Sequence, residues 1–576
     1  MRKFLHFLIP LAIAGTTFAV FLRAIPYGLT NIDDYIYVWK YTEVTDGFSW
    51  NGLVWAFTNL TEAIWMPLTW LSYQLDFALF GHASHLTSVL IHSLNAALVY
   101  LFFTRLLQSP SSFSPQSPST NRQTLITLTS SLLTLFWSLH PLRVESVVWI
   151  ASRKDVLSFT GFVLALIFWV DRRTVLSQVC FVLGALAKPS VMSFPILAFI
   201  LDWYVLNRRD LKRRWPVYIA PTLIAAAVAV EGALAQRIGG ATATGDAIPL
   251  LWRLLNAAAA YGLYLWHTVC PTGLAVQCTL RYPSPPRFLL PGVVICAAVG
   301  WTLWKRFRGG RNLFVAGLLW FTVAVAPMLG IASFGFHAFA DRFTYIPALG
   351  LSLVILHLLI HHQAPSTKHQ APLLLLLICL FSFFTYRQIA FWQNDKTLLT
   401  HTIEVDGPRN ANAQLHLGRY YWEFEHDVTN AVACFRACHE TNPVTLLNQP
   451  QFYMFALCEA GLMDEALEYK RFLAAWNEAM TAADRMPGDP IPMTQRYALA
   501  YTALVMTEAS GRRNLEEQID GAIAQRRGNQ IRDWLYLKGR LALLNGDEAK
   551  AREIWATLPD ATNRQEDPYM LYRYLR

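Results

Sequence analysis

Charged residues are scarce in this chain of 576 residues, since Asp, Glu, Lys and Arg together make up only 15% of it. A soluble globular protein usually carries about 25% charged residues. Apolar residues reach 54%, and the mean hydropathy is +0.30. This composition excludes an ordinary water-soluble protein for most of the chain and indicates a membrane protein.

Nucleotide-binding and zinc-binding motifs are also absent. The sequence has neither a Walker A motif nor a GxGxxG fingerprint, which argues against P-loop and dinucleotide-binding chemistry. Its eight cysteines include no CxxC pair, so zinc and thioredoxin-like sites are not expected. Cys270 and Cys278 can pair in the topology given below, and Cys434 and Cys438 lie one helical turn apart. The net charge of +9 comes largely from short loops between apolar runs, and no nucleic-acid partner is expected.

Apolar runs of roughly 17–25 residues, each long enough to cross a bilayer, recur from the N-terminus to about residue 390. After this point charges become frequent and the helical periodicity is amphipathic. The sequence therefore predicts a membrane domain over residues 1–390 and a water-soluble helical domain over residues 391–576. We interpret the first run, FLHFLIPLAIAGTTFAVFL, as a retained signal anchor instead of a cleaved signal peptide, because further spans follow it.

Basic residues between the apolar runs define a topology, because cytoplasmic loops carry an excess of Lys and Arg. The N-terminus is predicted inside, together with the loops at residues 105–122, 171–173, 207–214, 305–311 and 361–370. This arrangement needs about eleven spans, and the segment 251–270 must then lie in the interface or re-enter the membrane. The outer side receives the long first loop (24–85), HPLRVESVVWIASRKD (140–155), Lys188, PTGLAVQC (271–278), FGFHAFADR (334–342) and the C-terminal domain.

The stretch HPLRVESVVWIASRKD concentrates charge in an otherwise apolar region, and charges near a bilayer tend to mark functional sites. Pro141 suits the first turn of a helix, and a continuous helix would align Arg143 with Lys154, eleven residues later, on one stripe. Two cations on one face suit a lipid-linked phosphate or pyrophosphate, with Glu145 and Asp155 orienting them. The alternative is a solvated interfacial helix anchored on lipid headgroups.

Two adjacent acids, Asp33 and Asp34, follow the first span by about ten residues. Such a pair can supply a general base for a hydroxyl acceptor, hold a metal, or cap a short helix. Further on, His92 and Asn95 lie three residues apart on one face of a predicted span. We interpret that second pair as an inter-helix contact rather than as a catalytic group.

The C-terminal domain has a pattern typical of tetratricopeptide repeats, which are helix pairs of about 34 residues. The stretch NANAQLHLGRYYWEFEHDVTNAVACFRACHETNP fits the repeat, with one extra residue in the turn, at Leu417, Gly418, Tyr421, Ala431, Phe435 and Pro443. Weaker repeats follow in FYMFALCEAGLMDEALEYKRFL and WLYLKGRLALLNGDEAKAREIW. Stacked repeats form a concave surface for extended peptides or proteins, so a protein or peptide acceptor, or a scaffolding partner, is expected.

Five stretches within residues 1–400 can be compared with a known family: IDD after the first span, WMPLTWLSYQLDFALFGHASHLTSVLIHSLNA, LHPLRVESVVWIASRKDVLS, ALAKPSVMSFPILAFILDW and FADRFTYIPALGL. They resemble the membrane domain of TMTC-type proteins, which belong to the GT-C class of integral membrane glycosyltransferases, close to the protein O-mannosyltransferases. The resemblance continues into FWQNDKTLLTHTIE, which leads into tetratricopeptide repeats in that family. The chain departs from the family at Ser152, where Glu is frequent, and in its short repeat domain, which leaves the acceptor open.

The resemblance implies an all-α fold, in which a polytopic GT-C membrane domain of about eleven transmembrane helices precedes an α-solenoid. It also implies an inverting transfer of a sugar, with mannose as a candidate, from a polyprenyl-phosphate donor to a hydroxyl acceptor such as Ser or Thr of a protein. The site then faces the periplasm from a bacterial inner membrane, or the lumen from the endoplasmic reticulum membrane. No cofactor or divalent metal is expected, because basic side chains can stabilise a single phosphate leaving group.

The resemblance further implies roles for individual residues. Asp33 or Asp34 takes the role of the acidic residue in the first loop, as a base or a group that positions the acceptor. Five cations are candidates to hold the donor phosphate and to stabilise it as the glycosidic bond breaks: Arg143, Arg153, Lys154, Lys188 and Arg342. One or two of them are expected to touch the phosphate, and the supporting residues are His92, Glu145, Asp155, His337 and Asp341.

Two other hypotheses remain open. The same fold can act on a glycan or lipid acceptor instead of a protein. Alternatively, the protein is a non-enzymatic, membrane-anchored tetratricopeptide scaffold whose charged loops are structural. The scaffold hypothesis does not explain why acids and bases gather on one predicted side in five distant segments.

Overall fold

A computed structural model describes residues 2–60, 62, 64–109, 119–238, 249–276, 278–279, 286–307, 312–331, 337–361, 367–447, 449–482, 520, 535, 538–539, 542 and 547–557. These residues are almost entirely helical, which confirms the predicted all-α class. The chain divides into two compact units, Met1–Asn394 and Asp395–Arg576. The boundary predicted after residue 390 falls in the last turn of the helix that precedes Asn394.

The α-helices described in the N-terminal unit are α1 (Arg2–Phe21), α2 (Asp34–Val38), α3 (Thr42–Thr45), α4 (Trp50–Thr58), α5 (Pro67–Phe80), α6 (His85–Gln108), α7 (Ser119–Ser138), α8 (Val144–Val148), α9 (Arg153–Val170), α10 (Thr174–Ala187), α11 (Phe194–Ile200), α12 (Leu211–Ile238), α13 (Leu250–Val269), α14 (Pro286–Phe307), α15 (Leu313–Val325), α16 (Ala348–His361) and α17 (Thr367–Phe391). Short 3-10 helices cover Leu22–Ala24, Pro141–Arg143, Ile150–Ser152, Pro189–Ser193, Ala326–Met328 and Asp341–Thr344, and a π-helix covers Leu201–Val205.

Two short strands, which the sequence did not predict, form an antiparallel ladder. β1 (Cys278–Thr279) pairs with β2 (His337–Phe339). The possible disulfide between Cys270 and Cys278 is not formed, since both are free thiols. The Cys278 thiol donates to the carbonyl of Ala275 at 3.6 Å, and the backbone of Cys278 belongs to the ladder.

Glycines allow two pairs of helices to pack closely. A Cβ added at Gly161 of α9 would lie 2.5 Å from the backbone nitrogen of Gly184 on α10. A Cβ at Gly317 of α15 would lie 2.4 Å from the carbonyl oxygen of Gly350 on α16. Small residues at helix contacts are common in membrane bundles. The α9–α10 hairpin thereby brings the start of α9 next to the end of α10, where charged residues cluster.

Two helices of the described residues, His85–Gln108 and Lys212–Gln236, are long and apolar enough to cross a membrane. The number rises to four if each of two bent helix pairs counts as one span. Other runs predicted as spans form shorter apolar helices of 10–17 residues, such as Thr174–Ala187. That helix ends where Lys188 is extended before a proline, because proline disfavours a helical conformation in the residue before it. About eleven spans therefore stays a prediction.

The C-terminal unit contains α18 (Asp395–Asp406), α19 (Ala411–Tyr420), α20 (Val428–Thr441), α21 (Pro443–Leu446), α22 (Pro450–Glu459) and α23 (Met463–Ala482), a π-helix at Tyr421–Glu425 and a further helix at Glu548–Ala556. In the predicted first repeat, a Cβ at Gly418 would lie 2.8 Å from the ring of Phe435, so α19 and α20 pack tightly. The assignment of this pair to a tetratricopeptide repeat stays a prediction. In the weaker repeat at 534–555, most of the first part (534–546) lies outside the described residues, and 547–555 are described.

Candidate functional site

Segments that are distant in sequence meet around the charged stretch of residues 140–155. The backbone N–H of Ala151 donates to Asp34 in the first loop at 2.7 Å. In the 3-10 helix after β2, Arg342 forms an ion pair with Glu145. We call the charged residues at this junction the acid–base cluster, which consists of Asp33, Glu145, Lys154, Asp155, Lys188 and Arg342.

The continuous helix predicted for the stretch is interrupted at Trp149, whose backbone is extended with ψ of 118°. The hydroxyl of Tyr73 donates to the carbonyl of Ile150 at 2.8 Å, and Asp34 accepts from the next N–H, so tertiary hydrogen bonds replace helical ones at the break. The prediction that Arg143 and Lys154 share one helix stripe is therefore wrong. The two cations lie in different surroundings.

Asp34 holds the first loop to this break. Its carboxylate is fully buried and accepts hydrogen bonds from the N–H of Thr30 at 2.9 Å, the hydroxyl of Thr30 at 3.1 Å and the N–H of Ala151 at 2.7 Å. Burial raises the pKa of Asp34 to about 7, although the three donors favour the charged form. Both oxygens are occupied, so the arrangement gives Asp34 a structural task.

Asp33 has the opposite surroundings. It stands at the N-cap of α2, but its side chain makes no capping hydrogen bond, so the capping alternative does not describe it. The side chain is half-buried, and it has no hydrogen-bond partner among the described residues. Burial raises the pKa of the Asp33 carboxyl, and the nearby cations Lys154 and Arg342 oppose that rise. Of the two adjacent acids, Asp33 is the one available to a ligand.

Lys154 is the matching cation. Its half-buried ammonium forms no ion pair or hydrogen bond within the part of the chain that the structure describes. It lies 4.2 Å above the ring centroid of Tyr37, an aromatic contact that sequence reasoning did not single out. Asp33, Asp155 and Arg342 all lie close enough to act on its charge. A cation that contacts a ring and forms no direct ion pair can accept an anionic ligand.

The other cations of the cluster have carboxylate partners. Arg342 donates from its guanidinium to Glu145, whose second oxygen accepts the backbone N–H of Arg342 at 2.9 Å. Lys188 lies 2.5 Å from one oxygen of Asp155, and the other oxygen of Asp155 has no described partner. Both pairs are buried, so removing one member would leave an uncompensated charge. One member of each pair, Asp155 and Arg342, lies close enough to Lys154 to act on its charge.

Arg143 lies outside the cluster, and part of its guanidinium group also lacks hydrogen-bond partners among the described residues. Its buried guanidinium donates to the hydroxyl of Thr344 at 2.8 Å and stacks on Tyr345, with 5.3 Å to the ring centroid. Its Nε and Nη1 have no partner among the described residues. The supporting candidate Asp341 is buried, 3.7 Å from Nδ1 of His267. The side chain of His337 lies outside the described residues.

Arg153 and His92 do not join the cluster. Arg153 is completely buried in an ion pair with Asp76 at 2.6 Å and donates to the carbonyl of Ser84 at 2.7 Å. His92 contacts the hydroxyl of Tyr345 at 2.6 Å and the carbonyl of Ser138 at 3.0 Å, which is the inter-helix contact interpreted from the sequence. Both side chains connect helices, and neither is available to a phosphate.

Two residues of α13, missed by sequence reasoning, hold the segment that carries Arg342. The amide of Asn256 donates to the carbonyl of Ala338 at 3.2 Å. The hydroxyl of Tyr264 accepts the N–H of Ala340 at 3.1 Å. The spacing of eight residues puts both on one helix face, and polar groups on one face of an apolar helix are the pattern that could have revealed them.

A small cavity opens beside the cluster. Its volume is ≈ 20 Å³, room for about one water molecule, and it is lined by Asp155, Ser158, Lys188, Ser190, Ala324, Met328, Arg342, Phe343, Tyr345, Ile346 and Pro347. Within the described residues, no group of three or more His, Cys, Asp or Glu is arranged to hold a metal ion.

Comparisons with known proteins add no assignment: no family model, no curated protein and no solved structure matches this chain. The chemistry of the cluster is therefore the basis for a function.

Proposed function

We propose that this protein is a polytopic membrane glycosyltransferase of the GT-C type with a C-terminal tetratricopeptide-repeat domain. It transfers a sugar from a polyprenyl-phosphate donor to a hydroxyl acceptor, Ser or Thr of a protein, on the outer or lumenal face. One observation carries the proposal. Among the described residues, a carboxyl without a hydrogen-bond partner, Asp33, lies close enough to act on an ammonium that forms no ion pair, Lys154.

The two groups suit the two halves of a glycosyl transfer. Asp33 removes the proton from the acceptor hydroxyl as its oxygen attacks the anomeric carbon. The bond from that carbon to the phosphate oxygen breaks, and polyprenyl phosphate leaves with an additional negative charge. Lys154, backed by Arg342, stabilises that charge as it develops, so the preorganised cations lower the barrier. The acceptor proton ends on Asp33.

The topology behind this proposal requires the segment 251–270 to lie in the interface or to re-enter the membrane. The hydroxyl of Tyr261 lies 2.9 Å from that of Thr322, in the last third of α15. A Cβ at Gly262 would lie 2.6 Å from the Cα of Gly292, in the first third of α14. Both positions are outer ends in the predicted topology, whereas the thiol of Cys296, in the middle of α14, donates to the carbonyl of Ala258 at 3.7 Å.

The direct test is a transfer assay with the full-length protein in nanodiscs. Polyprenyl-phosphate mannose is supplied with a Ser/Thr-rich peptide, and glycopeptide and released polyprenyl phosphate are both measured. The proposal expects the two products in equal amounts. If polyprenyl phosphate is released only with a glycan or lipid acceptor, the acceptor is a glycan or lipid and not a protein. No release from any polyprenyl-phosphate sugar with any acceptor would reject the enzyme and favour the scaffold.

A further inference from the structure

An apolar groove on the N-terminal unit contains a carboxyl that the transfer reaction does not use. The groove has a volume of ≈ 480 Å³ and is lined by Leu60, Ala226, Ala227, Val230, Glu231 and Leu234. Five of these residues belong to α12. Oxygen Oε1 of Glu231 is buried and has no hydrogen-bond partner among the described residues. A carboxyl in such surroundings calls for a ligand that can donate to it.

Glu231 lies where an unpaired carboxyl is energetically unfavourable. It lies in Lys212–Gln236, one of the two helices long and apolar enough to cross a membrane, and only 6% of that span is buried inside the protein. An ionisable side chain facing lipid is expensive unless it is paired. Glu231 is five residues from the end of the span, or roughly 7.5 Å along a helix, which is within reach of lipid headgroups.

Helix α12, which lines most of the groove, also contacts the segment that carries Lys188. A Cβ at Gly232, next to Glu231, would lie 3.9 Å from the Cβ of Pro189. Pro189 follows Lys188 directly, so the side of α12 next to Glu231 contacts the segment that carries Lys188. The other lining residues are apolar or small, which suits a hydrocarbon chain.

We propose that this groove binds a lipid with a primary ammonium headgroup. The ammonium donates hydrogen bonds to Glu231, and one hydrocarbon chain lies against Ala227 and Leu234. Charge complementarity selects this occupant, because a lone carboxylate favours a cation with N–H groups over a phosphate. The inference rests on the proposed membrane location of α12, and it does not depend on the transferase reaction.

Native mass spectrometry of the detergent-solubilised, full-length protein tests the assignment. The probes are dioleoyl phosphatidylethanolamine and dioleoyl phosphatidylcholine, which share chains and phosphate but differ in N–H donors. The wild type should bind the ethanolamine lipid about tenfold more tightly, because hydrogen bonds to charged groups are worth at least that factor. Glu231→Gln should abolish the preference. Ala227→Leu should weaken both lipids, whereas Ala229→Leu, exposed elsewhere on α12, should weaken neither.

Three results would overturn the proposal: equal affinities in the wild type, a preference that survives in Glu231→Gln, or displacement of the ethanolamine lipid by equimolar polyprenyl phosphate. The last would assign the groove to the donor chain. Lys154→Ala separates this test from the enzyme proposal, since it removes the cation proposed for the phosphate and leaves the groove intact. Failure of the transfer assay alone therefore leaves the lipid preference to be judged on its own.

Discussion

Two charged clusters of the N-terminal unit differ in how completely their charges are paired. Around Asp202, in the π-helix Leu201–Val205, one carboxylate oxygen accepts from Arg208 at 3.2 Å. The other accepts from Arg214 at 2.8 Å and from the hydroxyl of Tyr218 at 2.7 Å. Arg208 also donates to the carbonyls of Trp169 at 3.1 Å and Val170 at 2.6 Å, at the end of α9. All three charged side chains are therefore in ion pairs and the carboxylate of Asp202 is fully used, although Nε of Arg208 and of Arg214 has no partner among the described residues. The arrangement connects α9 to the segment before α12.

The acid–base cluster is incomplete by comparison. Its ion pairs Arg342–Glu145 and Lys188–Asp155 are as buried as those of Asp202, yet Asp33 and Lys154 lack such partners among the described residues. Charges that are fully paired stabilise a fold. A carboxyl and an ammonium that lie close together without such partners remain available to a ligand. The comparison predicts that mutations in the first cluster change stability and that mutations of the open pair change function.

Asp33→Asn should have the largest effect. An amide cannot take the acceptor proton, so the rate of transfer should fall by about 10²–10⁴, the usual contribution of a general base. The free energy of unfolding should change little, because no described hydrogen bond is lost. Single-turnover transfer with saturating donor measures the rate. Asp34→Asn is the matched control: it should destabilise the first loop, since the single amide oxygen cannot accept from both Thr30 and Ala151. A wild-type rate in Asp33→Asn would show that Asp33 is not the base.

Asp202→Asn should act on stability instead. It leaves Arg208 and Arg214 without their carboxylate, and breaking a buried pair typically costs about 3–5 kcal/mol. Chemical unfolding of the detergent-solubilised protein measures the loss. The folded fraction should bind donor with wild-type affinity. A stable Asp202→Asn variant with weakened donor binding would reverse the roles given to the two clusters.

Tyr264→Phe should have a smaller effect, because it acts on Arg342 only through the backbone of Ala340. A neutral hydrogen bond contributes about 0.5–1.5 kcal/mol, so the KM for donor should rise by roughly two- to tenfold with kcat nearly unchanged. Tyr261→Phe, on the same helix, loses a hydroxyl contact to Thr322 and is the matched control with no expected change in KM. Equal changes in the two variants would indicate a general loss of packing.

The pH dependence should show the smallest effect. Burial raises the pKa of Asp33, so the base stays protonated to a higher pH than an ordinary Asp at about 3.9. The transfer rate should therefore fall as the pH decreases through this raised pKa. Because Lys154 opposes the rise, Lys154→Ala should move the acidic limb of the pH–rate profile to still higher pH. A limb that moves to lower pH would contradict the proximity of the two groups.

Sequence reasoning singled out segments that meet in the structure, because charges stand out in an apolar chain, but it could not assign their partners. Arg153 and Lys154 are adjacent, and only the first meets Asp76, a contact over 77 positions that no local pattern reveals. Asp33 and Asp34 differ in the same way, because Ala151 reaches only the second. The break at Trp149 also has a distant cause, since the hydroxyl of Tyr73 occupies the carbonyl of Ile150. Local sequence patterns predicted helices and a membrane topology. Tertiary contacts decide which charged side chain has a partner and which does not.

The affinity of Lys154→Ala and Asp33→Asn for the donor, measured side by side, tests the central claim most directly. The measurement is the equilibrium Kd for polyprenyl-phosphate mannose in the absence of acceptor. Removing the ammonium should raise Kd about tenfold to a hundredfold, since charge-assisted hydrogen bonds are worth roughly 1.5–3 kcal/mol. Asp33→Asn should leave Kd within about twofold of the wild type, because the base acts on the acceptor. Wild-type Kd in Lys154→Ala would show that the open cation does not hold the phosphate and would contradict the account.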